Sequence, residues 1–458
     1  MAKRVVLKIG GGILKDKACF GKVVEVIRKK RQAKKEAIIV ISALYGITDL
    51  LIDSTQKSLE SSKEIANSIG KIKGIHKSCL SCIKGKKIRE NAEFVLDDKI
   101  SILERFLYGI HYLNEVSPRS KDLIQSFGER LSPIVLEAFL LDNAIDAKFL
   151  DAEEAGIYCT GPFENAVCDM AKTSKGIKAK VIPLLKSKAV LLPGYYGIDE
   201  NNDVKTFGRG GTDYSSGFMA NILDADLEIW KDVSGFMTAD PKVVKGARQI
   251  DFLSYAEAEE LGYLGAKILH PKTIQPLREK GLSAEVKNLF APDVKGTIIG
   301  KGEKKAKEIV KSIAAIKDIA IVTIASSSMV NSSGFASIIF SKLAEKDISV
   351  DLISTSETAI SFSIDSKSVE KSLSALEPIK DYLPCTISSK KDLSIIGIVG
   401  EGMIETPGIA GRIFSTLGKE KINVELISQG ASEINISFAI KRSDLERAIS
   451  LIHGEFIL

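Results

Sequence analysis

An internal repeat in the last third of the 458-residue chain constrains the fold more than any other feature of the sequence. GFASIIFSKLAEKDISVDLIS (334–354) aligns without gaps with GIAGRIFSTLGKEKINVELIS (408–428), at an offset of 74 residues. Each copy then runs on into a strand-like segment, AISFSI (359–364) or INISFAI (434–440). Each unit is therefore predicted to be a strand, a glycine turn, an amphipathic helix and two strands. A duplication that serves packing alone is the alternative.

Upstream of residue 300, short β-branched runs alternate with helical patterns. VVLKIG (5–10), AIIVISAL (37–44) and KAVLLPGY (188–195) are continuous apolar runs, which suit strands buried on both faces of a parallel sheet. A helix is predicted for 21–33. Residues 52–120 are polar, helical in pattern and without strand signals, which predicts a helical insertion. The predicted class is α/β: a three-layer αβα domain with a mainly parallel sheet, followed by two βαββ modules.

The length of the chain exceeds what one hydrophobic core usually holds, so several domains are expected. The predicted boundaries are 1–298 for the first domain, 299–312 for a linker that is charged and punctuated by glycine, and 313–458 for the repeat region. The repeat units span about 318–375 and 393–458.

Charge and cysteine usage exclude several classes of protein. The net charge of +5, from 64 basic and 59 acidic residues, argues against a nucleic-acid or membrane partner. The sequence has no apolar run of 18 residues, and MAKRVVLKIGGG enters a strand directly instead of a signal peptide, so a cytoplasmic protein is expected. Six scattered cysteines are too few for a disulfide framework. The pair Cys79 and Cys82 has no partner cluster, so neither a metal nor a redox site is predicted.

Two glycine-rich stretches are candidates for anion binding. In FGRGGTDYSSG (207–217), three glycines surround Arg209, a pattern that suits backbone N–H groups facing an anion at the start of a helix. Lys8 precedes Gly10, Gly11 and Gly12, so its ammonium group can reach an anion held by their amides. A tight turn before a helix and a plain strand-to-turn junction are the structural alternatives. P-loop, protein-kinase and nicotinamide fingerprints are missing from the sequence.

Six motifs in order resemble the amino-acid kinase family and, within it, the aspartate kinases. They are KIGGG (8–12), VISALYGITDLL (40–51), FGERLS (127–132), GRGGTD (208–213), WKDVSGFMTADPKVV (230–244) and LGAKILHPKTIQP (264–276). The two repeats resemble tandem ACT modules. The resemblance implies transfer of a phosphoryl group from ATP, with Mg²⁺ carried by the nucleotide and no metal ligands from the protein, to the side-chain carboxylate of L-aspartate, giving 4-phospho-L-aspartate for Lys, Thr and Met synthesis. Because no Rossmann unit follows, we expect a monofunctional enzyme.

The resemblance also implies roles for individual residues. The catalytic residues are Lys8, Lys267 and Asp213, the two lysines opposing charge on the phosphates. Substrate is bound by Ser42, Thr48, Glu129, Arg209, Gly210, Gly211 and Thr212, with Arg209 clamping the α-carboxylate and Glu129 holding the α-ammonium group. The nucleotide is bound by Lys8, Gly10, Gly11, Gly12, Lys231, Asp232, Met237, Lys242, Lys267 and Ile268, Lys231 and Asp232 being expected near base and ribose. His270 is expected to be structural. Aspartate, with a reference pKa of about 3.9, needs no catalytic base.

This sequence departs from the family pattern at three places. Gly12 and Ile13 stand where a polar pair is usual, Met237 where tyrosine is common, and Lys242 where arginine is common. Another amino-acid kinase, acting on glutamate, N-acetylglutamate or a nucleotide, and an ACT sensor without catalysis remain the alternatives. The ACT repeats and the GRGGTD and GERLS motifs oppose the first, and the retained charged residues oppose the second.

The first repeat carries MVNSSGF (329–335) and VDLISTSE (350–357), which resemble the pattern of lysine-inhibited aspartate kinases. The resemblance implies an effector pocket formed by Met329, Ser332, Gly334, Phe335, Val350, Asp351, Ser356 and Glu357. Lysine is the expected feedback inhibitor, and threonine is the alternative. ACT pairs generally complete their sites between chains, so a homodimer or a larger homo-oligomer is expected.

Overall fold

The contacts of the chain divide it into two units, the first built on an eight-stranded sheet. The computed structural model describes residues 4–265, 268–302, 308–329, 333–381 and 384–457. The first unit comprises Met1–Phe236, Asp251–Tyr255 and Ile268–Lys301. The second comprises Met237–Ile250, Ala256–Lys267 and Gly302–Leu458, so two segments upstream of residue 298 group with the repeats.

The strands up to residue 300 are β1 Arg4–Ile9, β2 Glu36–Ile41, β3 Ala147–Phe149, β4 Cys159–Thr160, β5 Val167–Cys168, β6 Ala189–Pro193, β7 Tyr196–Ile198, β8 Val204–Thr206, β9 Asp226–Lys231, β10 Phe252–Ser254, β11 Ala284–Asn288 and β12 Thr297–Gly300. The helices are α1 Lys17–Gln32, α2 Ile47–Lys57, α3 Ser62–Leu80, α4 Lys86–Leu113, α5 Pro118–Asp142, α6 Ala152–Ala155, α7 Met170–Lys180, α8 Ile182–Leu185, α9 Gly211–Leu223, α10 Tyr255–Tyr263 and α11 Ile274–Lys280. Helix α10 begins at the end of a first-unit segment and continues in the second unit.

The sheet confirms the predicted α/β class. Its strand order is β10-β12-β11-β9-β1-β2-β6-β3, and all neighbours are parallel except β11 and β12. The three apolar runs singled out in the sequence form β1, β2 and β6, and every residue of β2 and β6 is buried. Helices pack on both faces. Alternate residues Val5, Leu7 and Ile9 of β1 join the core beneath α1 and α5, and α9 lies against β1, β2 and β9.

The segment 52–120, predicted to be helical, is largely helical, and it belongs to a helical stretch that the sequence predicts to continue to about residue 140. It begins with α2 at Ile47, and the chain stays largely helical through α5, which ends at Asp142. Helix α1 starts at Lys17, four residues before the predicted position, because the side chain of Asp16 caps it by accepting a hydrogen bond from the backbone N–H of Cys19.

The second unit contains one six-stranded antiparallel sheet. Its strands are β13 Ser312–Ala325, β14 Ile353–Thr355, β15 Ala359–Asp365, β16 Thr386–Val399, β17 Val424–Gln429 and β18 Asn435–Lys441, and its helices are α12 Phe335–Ala344, α13 Val369–Leu376, α14 Ile409–Lys419 and α15 Leu445–Phe456. The order β14-β15-β13-β16-β18-β17 places the repeats side by side, joined by the long antiparallel pair β13 and β16.

The repeats share backbone conformations as well as strand order. Gly334 and Gly408 precede α12 and α14 with φ of +88° and +86°, so the predicted glycine turns are confirmed. Asp318 and Asp392 also match across the 74-residue offset, with φ of +61° and +60°. The predicted βαββ unit was incomplete, because α13 and α15 follow the last strand of each repeat and make the unit βαββα. Their buried residues, such as Val369 and Ser372, recur at helical spacing.

No helix within the described ranges is long and apolar enough to cross a membrane.

Candidate active site

Four neighbouring strands bring polar side chains to one edge of the large sheet. Lys231 ends β9, Lys8 lies next to the end of β1, Ser42 follows β2, and Tyr195 follows β6 by two residues. The carboxyl ends of parallel strands open onto a crevice where ligands bind in α/β sheets. A cleft of about 380 Å³ lies at this edge.

Most of the residues predicted to bind substrate and phosphate line this cleft. From the predicted substrate set, it is lined by Ser42, Thr48, Glu129, Gly210, Gly211 and Thr212. From the predicted catalytic and phosphate set, it is lined by Lys8, Gly11, Gly12 and Asp213. Residues separated by up to 205 positions along the chain are thus brought together, from Lys8 to Asp213.

A buried ion pair links β1 to α9 inside the cleft. Lys8 Nζ lies 2.5 Å from Asp213 Oδ1, and both residues are less than 9% exposed. Burial alone would raise the pKa of Asp213, but the positive charges of Lys8 and Lys231 outweigh it and hold that pKa below its usual value. The carboxylate is therefore ionised at neutral pH and holds the Lys8 ammonium group in place.

The glycines before α9 allow close packing at the start of this helix. Gly210 has φ of +75°, and a Cβ added there would lie 2.1 Å from Cγ of His270. A Cβ on Gly211 would lie 2.8 Å from Cδ2 of Tyr195. The positive end of the α9 dipole therefore begins at the cleft, where Gly210 and Gly211 form part of the lining, and the N–H of Gly211 donates a hydrogen bond of 2.9 Å to the carbonyl oxygen of Gly208.

Glu129 is a buried carboxyl group with an unusual pKa. Its Oε1 accepts a hydrogen bond of 3.2 Å from the hydroxyl of Thr212. Burial raises the pKa of Glu129 to about 8, although the backbone of Ala43, the Thr212 hydroxyl and the charge of Lys8 all favour the ionised form. In the cleft without substrate, Glu129 is therefore mostly protonated at neutral pH and gains from a cation placed beside it.

The loop after β2 is packed tightly between two glycines. A Cβ on Gly11 would lie 2.8 Å from the carbonyl oxygen of Ala43, and one on Gly128 would lie 2.7 Å from Cβ of Ala43. Ser132 Oγ donates a hydrogen bond of 2.7 Å to the carbonyl oxygen of Ser42. The FGERLS motif thus fixes the Ser42 loop through Gly128 and Ser132, and presents Glu129 between them.

Tyr195 lines the cleft and was not among the predicted site residues. It adopts φ of +74°, rare for a residue with a side chain. Its hydroxyl donates a hydrogen bond of 2.6 Å to Gln125 Oε1, and its backbone N–H donates to Ser215 Oγ at 3.2 Å. Strained residues held by such contacts are often found at functional sites. The available signal was the GYYG sequence directly after an apolar strand.

Comparisons with known proteins identify the family. The model of the amino acid kinase family matches residues 3–288, and the ACT domain model matches residues 322–378 and 396–456. Aspartokinase 1, chloroplastic, of Arabidopsis thaliana is 31% identical over 98% of this chain and 80% of its own length.

The chain belongs to the aspartokinases of the amino acid kinase family.

Solved aspartokinase structures have the same fold. E. coli aspartokinase III in complex with aspartate and ADP (R-state) matches with a TM-score of 0.82 and 26% identity, over 98% of this chain and 99% of that chain. The same enzyme in complex with lysine and aspartate (T-state) matches with a TM-score of 0.85 and 26% identity, over the full length of both chains. These matches confirm the resemblance predicted from the motifs.

Several residues predicted from the aspartokinase motifs lie elsewhere or outside the described ranges. Lys267, the second predicted catalytic lysine, and Ser332 lie outside the residues that the structure describes. Arg209 is exposed and is not part of the cleft lining, so its role as a carboxylate clamp stays a prediction. Met237 and Lys242 belong to the second unit. Asp232 is exposed, and Ile268 is half-buried.

His270, expected to be structural, packs against Gly210. Its Nδ1 accepts a hydrogen bond of 3.3 Å from the backbone N–H of Lys272. Burial lowers the pKa of His270, as do the charges of Lys272 and Arg209, against the opposing effect of Asp213. All six thiols are free, and within the described ranges no group of three or more His, Cys, Asp or Glu side chains could hold a metal ion.

The predicted effector residues of the aspartokinase lie in the first repeat. Met329, Phe335 and Val350 pack against its core, whereas Ser356 and Glu357 are exposed in the turn between β14 and β15. Asp351 is half-buried. Burial raises its pKa, as does the charge of Asp365, and a hydrogen bond from Tyr263 acts in the opposite direction. The Tyr263 hydroxyl also donates a hydrogen bond of 2.9 Å to the carbonyl oxygen of Asp351.

Proposed function

We propose that this aspartokinase transfers the γ-phosphoryl group of Mg-ATP to the side-chain carboxylate of L-aspartate, giving ADP and 4-phospho-L-aspartate. The observation that carries the proposal is the buried ion pair of Lys8 and Asp213 at the start of α9, in one cleft with Glu129. The structure of E. coli aspartokinase III in complex with aspartate and ADP supports this choice of substrates.

The residues of the cleft suit a phosphoryl transfer without a base. A carboxylate oxygen of aspartate forms the new bond to the γ-phosphorus, and the bond from phosphorus to the bridging oxygen breaks, its electron pair leaving with ADP. The acceptor has a reference pKa of about 3.9 and is already ionised, so no proton has to be removed. Lys8 and the N-terminal amides of α9 oppose the negative charge of the phosphates. Magnesium carried by the nucleotide supplies further positive charge to the phosphate oxygens.

Glu129 suits the α-ammonium group of an amino-acid substrate. An ammonium group beside this buried carboxyl favours its ionised form, so substrate binding would expel the proton that burial keeps there. N-acetylglutamate lacks a free ammonium group and would leave Glu129 unpaired. The site therefore favours a free amino acid over an acetylated one. The geometry discriminates least against glutamate, because glutamate differs from aspartate by a single methylene group.

We also propose that lysine inhibits the enzyme by binding at the first repeat. E. coli aspartokinase III in complex with lysine and aspartate provides the precedent. Asp351 is a half-buried carboxyl group whose pKa is raised by burial and by the charge of Asp365, so an ammonium group beside it would favour its ionised form. The equivalent residue in the second repeat is Glu425, whose carboxylate already accepts a hydrogen bond of 2.6 Å from Lys390. Threonine remains the rival effector.

Three further properties stay predictions: a homodimer or larger homo-oligomer, a cytoplasmic location and the domain boundaries. So do the nucleotide contacts of Asp232, Met237, Lys242, Lys267 and Ile268.

A coupled ATP assay with hydroxylamine trapping tests the proposed function. Aspartate, glutamate and N-acetylglutamate are offered in turn, each with lysine or threonine added. We expect hydroxamate from aspartate, inhibition by lysine, and a loss of at least about 100-fold in kcat for Lys8→Met. Lys71→Met, which removes an exposed lysine of α3, is the control and should match the wild type. Product from glutamate but not aspartate, or an unimpaired Lys8→Met enzyme, would overturn the proposal.

A further inference from the structure

Helix α10 ends at a tyrosine whose hydroxyl contacts the main chain beside the proposed effector site. The Tyr263 hydroxyl donates a hydrogen bond of 2.9 Å to the carbonyl oxygen of Asp351, and the carbonyl oxygen of Val350 lies 3.4 Å away as a second acceptor. Burial raises the pKa of Tyr263 to about 12, as do the charges of Asp351 and Glu260 and a hydrogen bond with the Asp351 side chain. The hydroxyl therefore lies close to the carboxyl group of Asp351 as well as to its carbonyl oxygen, and a cation bound by Asp351 acts on the interactions of Tyr263.

The same end of α10 is also held by the second repeat. The side-chain amide of Asn435, the first residue of β18, donates a hydrogen bond of 2.9 Å to Glu260 Oε2. Leu264, which follows the helix, is 1% exposed and packs against Gly397 of β16, where an added Cβ would lie 2.1 Å from Cδ1 of Leu264. One repeat thus holds this end of the helix through Tyr263 and the other through Glu260 and Leu264. A change in the main chain of the first repeat therefore acts on the end of α10.

The chain that leaves α10 reaches the cleft within a few residues. His270 follows Tyr263 by seven positions and belongs to the first unit. Its ring packs against Gly210, where an added Cβ would lie 2.1 Å from Cγ of His270. Gly210 lines the cleft and precedes α9, whose first turn carries Asp213. Because this contact has no free space, a displacement of the chain at His270 acts on Gly210 and on the start of α9.

We propose that Tyr263 couples the effector site to the active site. Lysine bound at Asp351 changes the hydrogen bonds of Tyr263, and the end of α10 passes this change along the chain to His270 and Gly210. The proposal rests on the proposed inhibition by lysine. Closely packed contacts such as these switch between discrete arrangements instead of deforming gradually. In the inhibited arrangement, the start of α9 is displaced from the position that phosphoryl transfer requires.

Inhibition and binding, measured separately, distinguish a coupling residue from one that only holds the effector. The full-length wild type and Tyr263→Phe are compared in the coupled ATP assay over a range of lysine concentrations, and calorimetry measures lysine binding to both. At saturating lysine, we expect the wild type to lose about tenfold or more in activity and Tyr263→Phe to lose less than about twofold. Lysine should still bind to the variant, with a Kd within about tenfold of wild type. Equal inhibition of both proteins, or no lysine binding to Tyr263→Phe, would overturn the proposal.

Hydrogen–deuterium exchange gives a second readout, at the end of the chain segment that lies in the first unit. In the wild type, saturating lysine should change the exchange rates of backbone amides in residues 268–281 by about threefold or more. In Tyr263→Phe, the same amides should exchange at the same rates with and without lysine, because the link from the effector site is broken. A response to lysine in the variant that matches the wild type would show that the coupling takes another route.

The matched control is Tyr255→Phe. Tyr255 is the first residue of the same helix, and its hydroxyl donates a hydrogen bond of 2.5 Å to the carbonyl oxygen of Leu282 in the first unit. The substitution thus removes the same group, bound to the same kind of acceptor, at the other end of α10. Tyr255→Phe should be inhibited by lysine as the wild type is. An equal loss of inhibition in this variant would assign the effect to the stability of the helix and overturn the specific role of Tyr263.

The same comparisons with threonine in place of lysine separate this proposal from the choice of effector. If threonine inhibits the wild type and lysine does not, the proposed effector is wrong, and the threonine curves of Tyr263→Phe test the coupling. If lysine inhibits the wild type and Tyr263→Phe equally, the proposed inhibition stands and the coupling role is overturned. A wild type that neither lysine nor threonine inhibits would overturn both.

Discussion

The hydroxyl of Thr212 donates a hydrogen bond of 3.2 Å to Glu129 Oε1, which joins the first turn of α9 to the middle of α5 inside the cleft. This contact only partly offsets the burial that raises the pKa of Glu129 to about 8. The cleft without substrate therefore holds a neutral acid at pH 7, at the place where an amino-acid ammonium group is expected.

The KM for aspartate should depend on pH in the wild type. Because Glu129 must lose its proton to pair with the substrate, KM should rise about tenfold as the pH falls from 9 to 7. Glu129→Gln should raise KM by about 10- to 100-fold and remove this dependence. Glu137→Gln is the control, because Glu137 lies on the same helix with a raised pKa but outside the cleft lining. A KM for aspartate that does not change with pH in the wild type contradicts this account.

The same substitution should stabilise the protein without substrate. Burial raises the pKa of Glu129 from 4.5 to about 8, so the free energy of unfolding falls as the pH rises from about 4.5 through 8. Glu129→Gln removes this ionisable group. Thermal unfolding should give a higher Tm for Glu129→Gln than for wild type at pH 8.5 and a similar Tm at pH 4.5. A lower Tm at pH 8.5 would mean that the carboxylate is compensated in the folded protein.

Asp213→Asn should impair both catalysis and stability. The substitution removes the carboxylate that contacts the Lys8 ammonium group at 2.5 Å and whose pKa is lowered by the charges of Lys8 and Lys231. Removing one partner of a buried ion pair typically costs about 3–5 kcal/mol, and we expect kcat to fall at least about 100-fold. Asp53→Asn breaks an exposed ion pair with Lys57 and should cost less than about 1 kcal/mol. Denaturant unfolding of both variants measures the loss in free energy of unfolding. Equal losses would argue against a buried charge cluster.

Gly210→Ala should be more damaging than Gly408→Ala. Both glycines have positive φ, +75° and +86°. An alanine at either position is therefore destabilised by about 1–2 kcal/mol, because it is strained in the left-handed conformation. Only the Cβ at Gly210 meets another group, 2.1 Å from Cγ of His270, whereas nothing lies within 4 Å of the Cβ at Gly408. Gly210→Ala should therefore lose more stability and most of the activity. A comparison of Tm and kcat in both variants measures the difference, and equal losses would rule out the steric cause.

Asp351→Asn should weaken inhibition by lysine. The substitution removes the negative charge that the proposal pairs with an ammonium group of the effector, so the lysine concentration for half-inhibition should rise about tenfold or more. Glu425→Gln, at the equivalent position of the second repeat, should leave this concentration unchanged, because Lys390 already binds that carboxylate. Inhibition curves for the two variants test the assignment. Weaker inhibition in Glu425→Gln but not in Asp351→Asn would assign the effector site to the second repeat.

Sequence patterns predicted the strands and turns that surround the site. The environments of its side chains depend on contacts across the sheet and could not be predicted in this way. Continuous apolar runs gave β1, β2 and β6, a glycine cluster marked the turn before α9, and single glycines marked the turns before α12 and α14, because each of these signals is local. The environment of Lys231 depends on the register between β1 and β9, which join distant parts of the chain. The positive φ of Tyr195 depends on contacts with Gln125 and Ser215. Such properties arise only from tertiary packing.

The left-handed backbone positions shared by the two repeats have a consequence for how they diverged. Gly334 and Gly408, and likewise Asp318 and Asp392, keep the same dihedral angles at the same offset. A few residues with positive φ therefore specify the main-chain path of each repeat, and the side chains between them are free to change. The second repeat can pair the carboxylate of Glu425 with Lys390 while the first repeat keeps Asp351 at the equivalent position, and neither change alters the backbone path that both repeats share.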